Sequence, residues 1–179
     1  MYFAIGGRRV QSGLYRVTYT GPFEQEDAPR FKMKLEPRSE ATLLRQKLET
    51  FHGKQDPKAI DTAWPHLGHA DRLVRFAARI AVEHQPIDSW KDKALSETDP
   101  QKSLLALMAL IRCTKNADLQ PQIIAALNRI DLKALKGISR NTLIRDYWLT
   151  VSRHGEPNEP LTKSILDRLS PLFPTGETG

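Results

Sequence analysis

The chain has a single cysteine, Cys113, so an intramolecular disulfide is impossible. Lying in the apolar run LLALMALIRC, it reads as a buried, inert thiol. No apolar run approaches the roughly 18 residues of a membrane span. The N-terminal MYFAIGGRRVQSG lacks the charged region and apolar core of a signal peptide, so the expectation is a soluble chain without an export signal. Gly6-Gly7 is followed by Arg8-Arg9 and not by a third glycine opening a helix, which excludes phosphate-loop and dinucleotide motifs. Ser103, Ser139, Ser152 and Ser164 have no G-x-S-x-G context and no His–acid pair to activate them. An enzyme is therefore not the expectation.

What remains is a chain of 179 residues, 40% hydrophobic, with 27 basic and 21 acidic residues and a formal charge of +6. That size supports one domain with a substantial core, or a domain and an appendage. The charge permits an anionic partner without identifying one. The most informative stretch is WPHLGHADRLVRFAARIAVEHQP, from Trp64 to Pro86. Within it Val74, Ala77, Ala78 and Ala81 recur at three- and four-residue steps, predicting a helix with a narrow face of small residues that admits a close neighbour. Asp71 and Arg75 stand four apart, where they read as a supporting acid–base pair.

MYFAI and LYRVTYT, with Gly6, Gly7 and Gly13 bracketing a loop, predict a β-hairpin over 1–21. Residues 22–38 carry three prolines and an acidic-then-basic block, reading as a linker. A helical region follows over 39–173, with a tail at 174–179. Ser39 is the expected N-cap of a helix reaching about His52, with Leu43, Leu44, Leu48 and Phe51 inward and Gly53 as its stop. Asp56-Pro57 and Asp99-Pro100 read as a repeated device, an aspartate cap with proline in the first turn. Further helices are expected near 70–84, 88–96, 100–115, 121–130, 139–153 and 160–170. A shift of 29 residues places Phe76 on Leu105, Ala77 on Ala106 and Ala81 on Leu110, while Arg75 falls on Leu104. The predicted fold is mainly α, a HEAT-like α-α superhelix (solenoid) of about four helical pairs with a short N-terminal β-hairpin.

DRLVRFAARIA resembles the second helix of a HEAT repeat, with its Asp, its Val-Arg pair and its spaced alanines. AIGGRRVQSGLYRVTYTG, LETFHGKQDPKAIDTAWPHLGHADRLVRFAARIAVEHQP and ALSETDPQKSLLALMALIR together resemble the central portion of large bacterial haem-binding, membrane-bound-dehydrogenase-like proteins. The resemblance implies a propeller-like domain ending at Met1–Gly21, a HEAT-like spacer over 39–173 and a cytochrome-c-like module beyond it. It also implies a periplasmic or exported setting if the chain is a piece of such a protein. Haem c attachment needs Cys-x-x-Cys-His, and Cys113 is followed by Thr114 and Lys115, so no cofactor is expected on this chain.

The candidate interaction surface is the i, i+3, i+7 stripe Arg72, Arg75 and Arg79, opposite the small-residue face. It reads either as a solvated face paired with acids or as a track for nucleic-acid phosphates, the second being the alternative to a protein scaffold. His66 and His69 stand three apart near a turn, with Asp61 and Asp71 close in sequence, but no spacing fixes a third metal ligand. Trp64, Trp90 and Trp148 each fall in apolar helical patterns and are expected in the core.

Overall fold

The computed structural model describes residues 2–7, 10–18, 20–21, 38–135 and 137–172, in two units spanning 1–37 and 38–179. The expected linker, apart from Arg38, and the expected tail lie outside the described residues. In the first unit β1 (Tyr2–Gly7) pairs antiparallel with β2 (Val10–Arg16). Gly13 is not in a loop, as its spacing had suggested, but sits within β2 opposite Ile5. A Cβ at Gly13 would meet the Tyr15 ring at 2.8 Å, and that ring stacks on Phe3 at 5.4 Å, so the missing side chain makes room for the cross-strand aromatic pair.

The second unit is helical. Its eight α-helices among the described residues are α1 (Glu40–Glu49), α2 (Ala59–Ala63), α3 (Arg72–Glu83), α4 (Lys91–Ser96), α5 (Pro100–Cys113), α6 (Gln120–Arg129), α7 (Ile138–His154) and α8 (Glu159–Leu169), with short 3-10 turns between several of them. Their starts follow from capping chemistry. Ser39 accepts from the Thr42 amide at 3.2 Å, Asp99 from Lys102 at 2.8 Å with Pro100 in the first turn, and Asn158 from Leu161 at 3.1 Å. Asp71 accepts from Leu73 at 2.7 Å and Val74 at 3.1 Å. It is therefore a cap and not the ion-pair partner of Arg75.

Three boundaries differ from expectation. α1 stops at Glu49 because the Thr50 hydroxyl takes the Lys47 carbonyl at 2.7 Å, and tight turns then lead to Gly53, whose φ of 73° suits glycine. Asp56 caps no helix, since its carboxylate closes a turn on the Lys58 amide at 2.9 Å and α2 begins after Lys58 without a side-chain cap. The helix expected over 88–96 is divided by Trp90 at φ −143°, where the buried indole donates to the Gln85 carbonyl at 3.2 Å.

Packing follows chain order in two rows: α1 lies on α3, α3 on α5 and α5 on α7, while α4, α6 and α8 succeed one another in the second row. Aligning Ala77 with Ala106 and Asp146 superposes four buried columns: Val74, Ser103 and Leu143; Ala77, Ala106 and Asp146; Ala78, Leu107 and Tyr147; Ala81, Leu110 and Thr150. α3 carries the smallest side chain in the columns of Ala78 and Ala81, on the small-residue face read from the sequence, which is buried. Tyr147 of α7 donates to Asn128 Oδ1 of α6 at 2.6 Å, tying the rows together, and Arg168 of α8 donates to the carbonyls of Asn128 and Ile130, joining α8 to the end of α6. Leu43 is exposed, contrary to expectation, because among the described residues α1 opens the row and packs mainly on α3 and α2.

Ala77 is buried against these neighbours, so Ala77→Leu is expected to overpack the contact and destabilise by about 1–3 kcal/mol, read as a lowered urea midpoint. An unchanged midpoint would contradict this packing.

Candidate functional site

The exposed side of the first row forms a groove of about 230 Å³ across α3, α5 and α7. Its wall on α3 is Arg72, Arg75, Phe76 and Arg79, and its floor on α5 is Gln101, Leu104, Leu105 and Met108. These two sets are the same four positions displaced by the 29-residue shift. Ile138, Ser139 and Thr142 of α7 close the far side, where the Gln101 amide donates to the Ser139 hydroxyl at 2.9 Å. The groove thus offers an apolar floor beside guanidinium groups, an arrangement suited to an apolar side chain accompanied by a carboxylate.

All three arginines expected to mark a surface meet here, but they are not equivalent and do not form a solvated stripe. Arg79 is only 8% exposed, makes an ion pair with Glu83 and lies over the Phe76 ring at 5.2 Å. Burial pulls its guanidinium below the usual value, and Glu83 draws it back up. Glu83 also accepts from Arg112 Nε at 3.0 Å. Arg75 Nη1 donates to the carbonyls of His69 at 2.6 Å and Ala70 at 2.8 Å, holding the turn before α3. Of the three, Arg72 alone is exposed and has no hydrogen-bond or ion-pair partner among the described residues. One free guanidinium does not neutralise a row of phosphates.

Beside the groove, Asp146 replaces the alanine of its column. It is fully buried, and neither carboxylate oxygen has a hydrogen-bond partner among the described residues. Desolvation holds its carboxyl well above the usual range, with Arg145 and Arg79 opposing. Cys113 is exposed and not buried as expected, because it lies at the end of α5, past the buried Ile111, and faces outward. Its thiol meets the Glu83 carbonyl at 3.5 Å and is pushed up first by local burial and then by Glu83, which disfavours the reactive thiolate.

His66 and His69 approach edge-on at 6.1 Å between ring centroids. Burial lowers the His66 pKa, with His69 and Lys47 adding to it, and His69 Nδ1 already accepts from the Asp71 amide at 3.0 Å. Among the described residues no three His, Cys, Asp or Glu side chains gather where they would hold a metal. Trp64 and Trp90 are in the core as expected, the Trp64 indole donating to Glu97 at 2.8 Å. Trp148 is not. It is 64% exposed, because among the described residues no further helix of the first row follows α7 to cover its outer edge.

Sequence reading located the arginines but not the groove floor, Asp146 or the exposed indole. The signal was present, since extending the register from α5 to α7 sets Asp146 under Ala106 and Trp148 under Met108. No helix of the described residues is long and apolar enough to cross a membrane. No family model, curated protein or solved structure matches the chain.

Because burial raises the Asp146 carboxyl well above its ordinary value of 3.8, folding takes up a proton over the range in which the unfolded carboxyl has released it. Stability should therefore fall as pH rises from that value through the raised folded one. Asp146→Asn is expected to flatten this fall and gain stability at neutral pH relative to the native chain, measured by urea midpoints across the range. Parallel profiles for the two proteins would show that Asp146 is not the source.

Proposed function

We propose that the chain is a non-catalytic helical-repeat scaffold, a HEAT-like superhelix of about four helical pairs that presents the α3–α5–α7 groove to a protein partner. By the resemblance read from its sequence, its role is to space or dock a propeller dehydrogenase-like domain against a cytochrome-c-like module. The observation that carries this reading is the recurrence of one set of pocket-lining positions on successive helices: Arg72, Arg75, Phe76 and Arg79, then Gln101, Leu104, Leu105 and Met108, then Asn141, Ile144, Arg145 and Trp148. Stacked helical pairs of this kind generate an extended binding surface without requiring reactive groups. The alternative, a nucleic-acid module reading phosphates through the arginine stripe, is weakened by the commitment of Arg75 and Arg79 to contacts within the chain.

Calorimetric titration with propeller and cytochrome modules of the resembled proteins is the direct test. Binding of one of them, weakened about tenfold by Arg72→Glu, is the expected result. Failure of both to bind would remove the docking role. For duplex DNA we expect nothing tighter than the generic 10⁻⁴–10⁻⁶ M attraction of a basic protein, roughly, at physiological salt. Nanomolar, salt-steep DNA binding lost on replacing Arg72 would establish the alternative instead.

A further inference from the structure

We infer that the outer edge of α7 and α8 is a second docking surface, separate from the groove, and that it takes an amphipathic helix bearing acidic residues. On the side of α5 where α7 lies, Leu104, Met108 and Ile111 are buried or half-buried, and α7 reaches over them through Ser139 to Gln101 and Arg153 to the Ile111 carbonyl at 2.9 Å. The matching positions on α7 are Ile144, Trp148 and Val151. They keep the apolar character of a helix-covered edge, yet Trp148 is 64% exposed.

The face continues onto α8, where Ile165 and the 57% exposed Leu166 line a shallow depression with Val151. Among the described residues no helix covers this apolar side. The geometry that α7 imposes on α5 shows what fits: a helix lying alongside, with an apolar residue every three or four positions. Charge selects among helices. Exposed Arg145 stands between Ile144 and the indole, while Glu156 lies at the opposite end of the face, so an acidic residue near the first sets the direction of the partner. A second copy of this chain brings another net charge of +6 and is disfavoured.

The probe is a lactam-bridged helical peptide with leucine at i, i+4 and i+7 and flanking glutamates, titrated into the full chain. Of the three tryptophans only Trp148 is exposed, so acrylamide quenching of its fluorescence reports coverage directly. We expect the peptide to shield Trp148, and peptide anisotropy to show about tenfold weaker binding to Trp148→Ala and to Arg145→Glu. Peptides with glutamine for leucine, or lysine for glutamate, should not shield it. Arg72→Glu should leave this binding unchanged, which separates it from the groove. The inference is overturned by absence of shielding, by equal shielding with the lysine peptide, or by insensitivity to both substitutions. It is equally overturned if Trp148 is already shielded in the peptide-free monomer, or becomes shielded by self-association in sedimentation.

Discussion

The packing of α3, α5 and α7 in one row, with Ala77, Ala106 and Asp146 buried at matching positions, is the constraint on which the rest of the helical unit depends. Ala77, Ala78 and Ala81 are buried in the core, α3 packs on both α1 and α5, and the buried Arg79 lines the groove between α3 and α5. The same register has a cost at α7. Asp146 occupies a position that suits alanine, and the carboxyl is buried where no donor reaches it among the described residues. A neutral carboxyl is the form that such a site tolerates.

Electrostatics in the groove follow from this packing more than from net charge. Three arginines on one helix look alike in a sequence, but the neighbouring helices give them different fates. Arg79 is neutralised by Glu83, which also binds Arg112 of α5, so the pair holds two helices together. Arg75 satisfies carbonyls of the turn before α3. Arg72 is exposed and has no such partner among the described residues. An apolar floor with one free guanidinium favours recognition of a single acidic group next to an apolar one, a different task from following a phosphate backbone.

Much of this architecture was legible in the sequence because local signals and core periodicity agreed. Asp99-Pro100 opened a helix as its chemistry requires, and the span expected over 70–84 became Arg72–Glu83. Reading failed where one local cue had two structural uses. Asp56-Pro57 made a turn, and Asp71 served as a cap while Arg75 found backbone carbonyls. It failed again where exposure depends on what lies next in space: Trp148, Leu43 and Cys113 carry core-like residue types but sit at an outer edge or a helix end. Periodicity gives the face of a helix and is silent on whether another element covers it. The groove floor was accessible in principle, since it is the α3 wall shifted along the repeat.

Amide hydrogen exchange in the intact chain tests the central claim, that α3 and α5 are each clamped between neighbours in one continuous row. The account predicts that amides in the middle of α3 and α5 exchange slowest, at a common rate set by cooperative opening, with α7 and then α8 progressively faster. Exchange in α5 as rapid as in α8, or independent opening of α3 and α5, would contradict it.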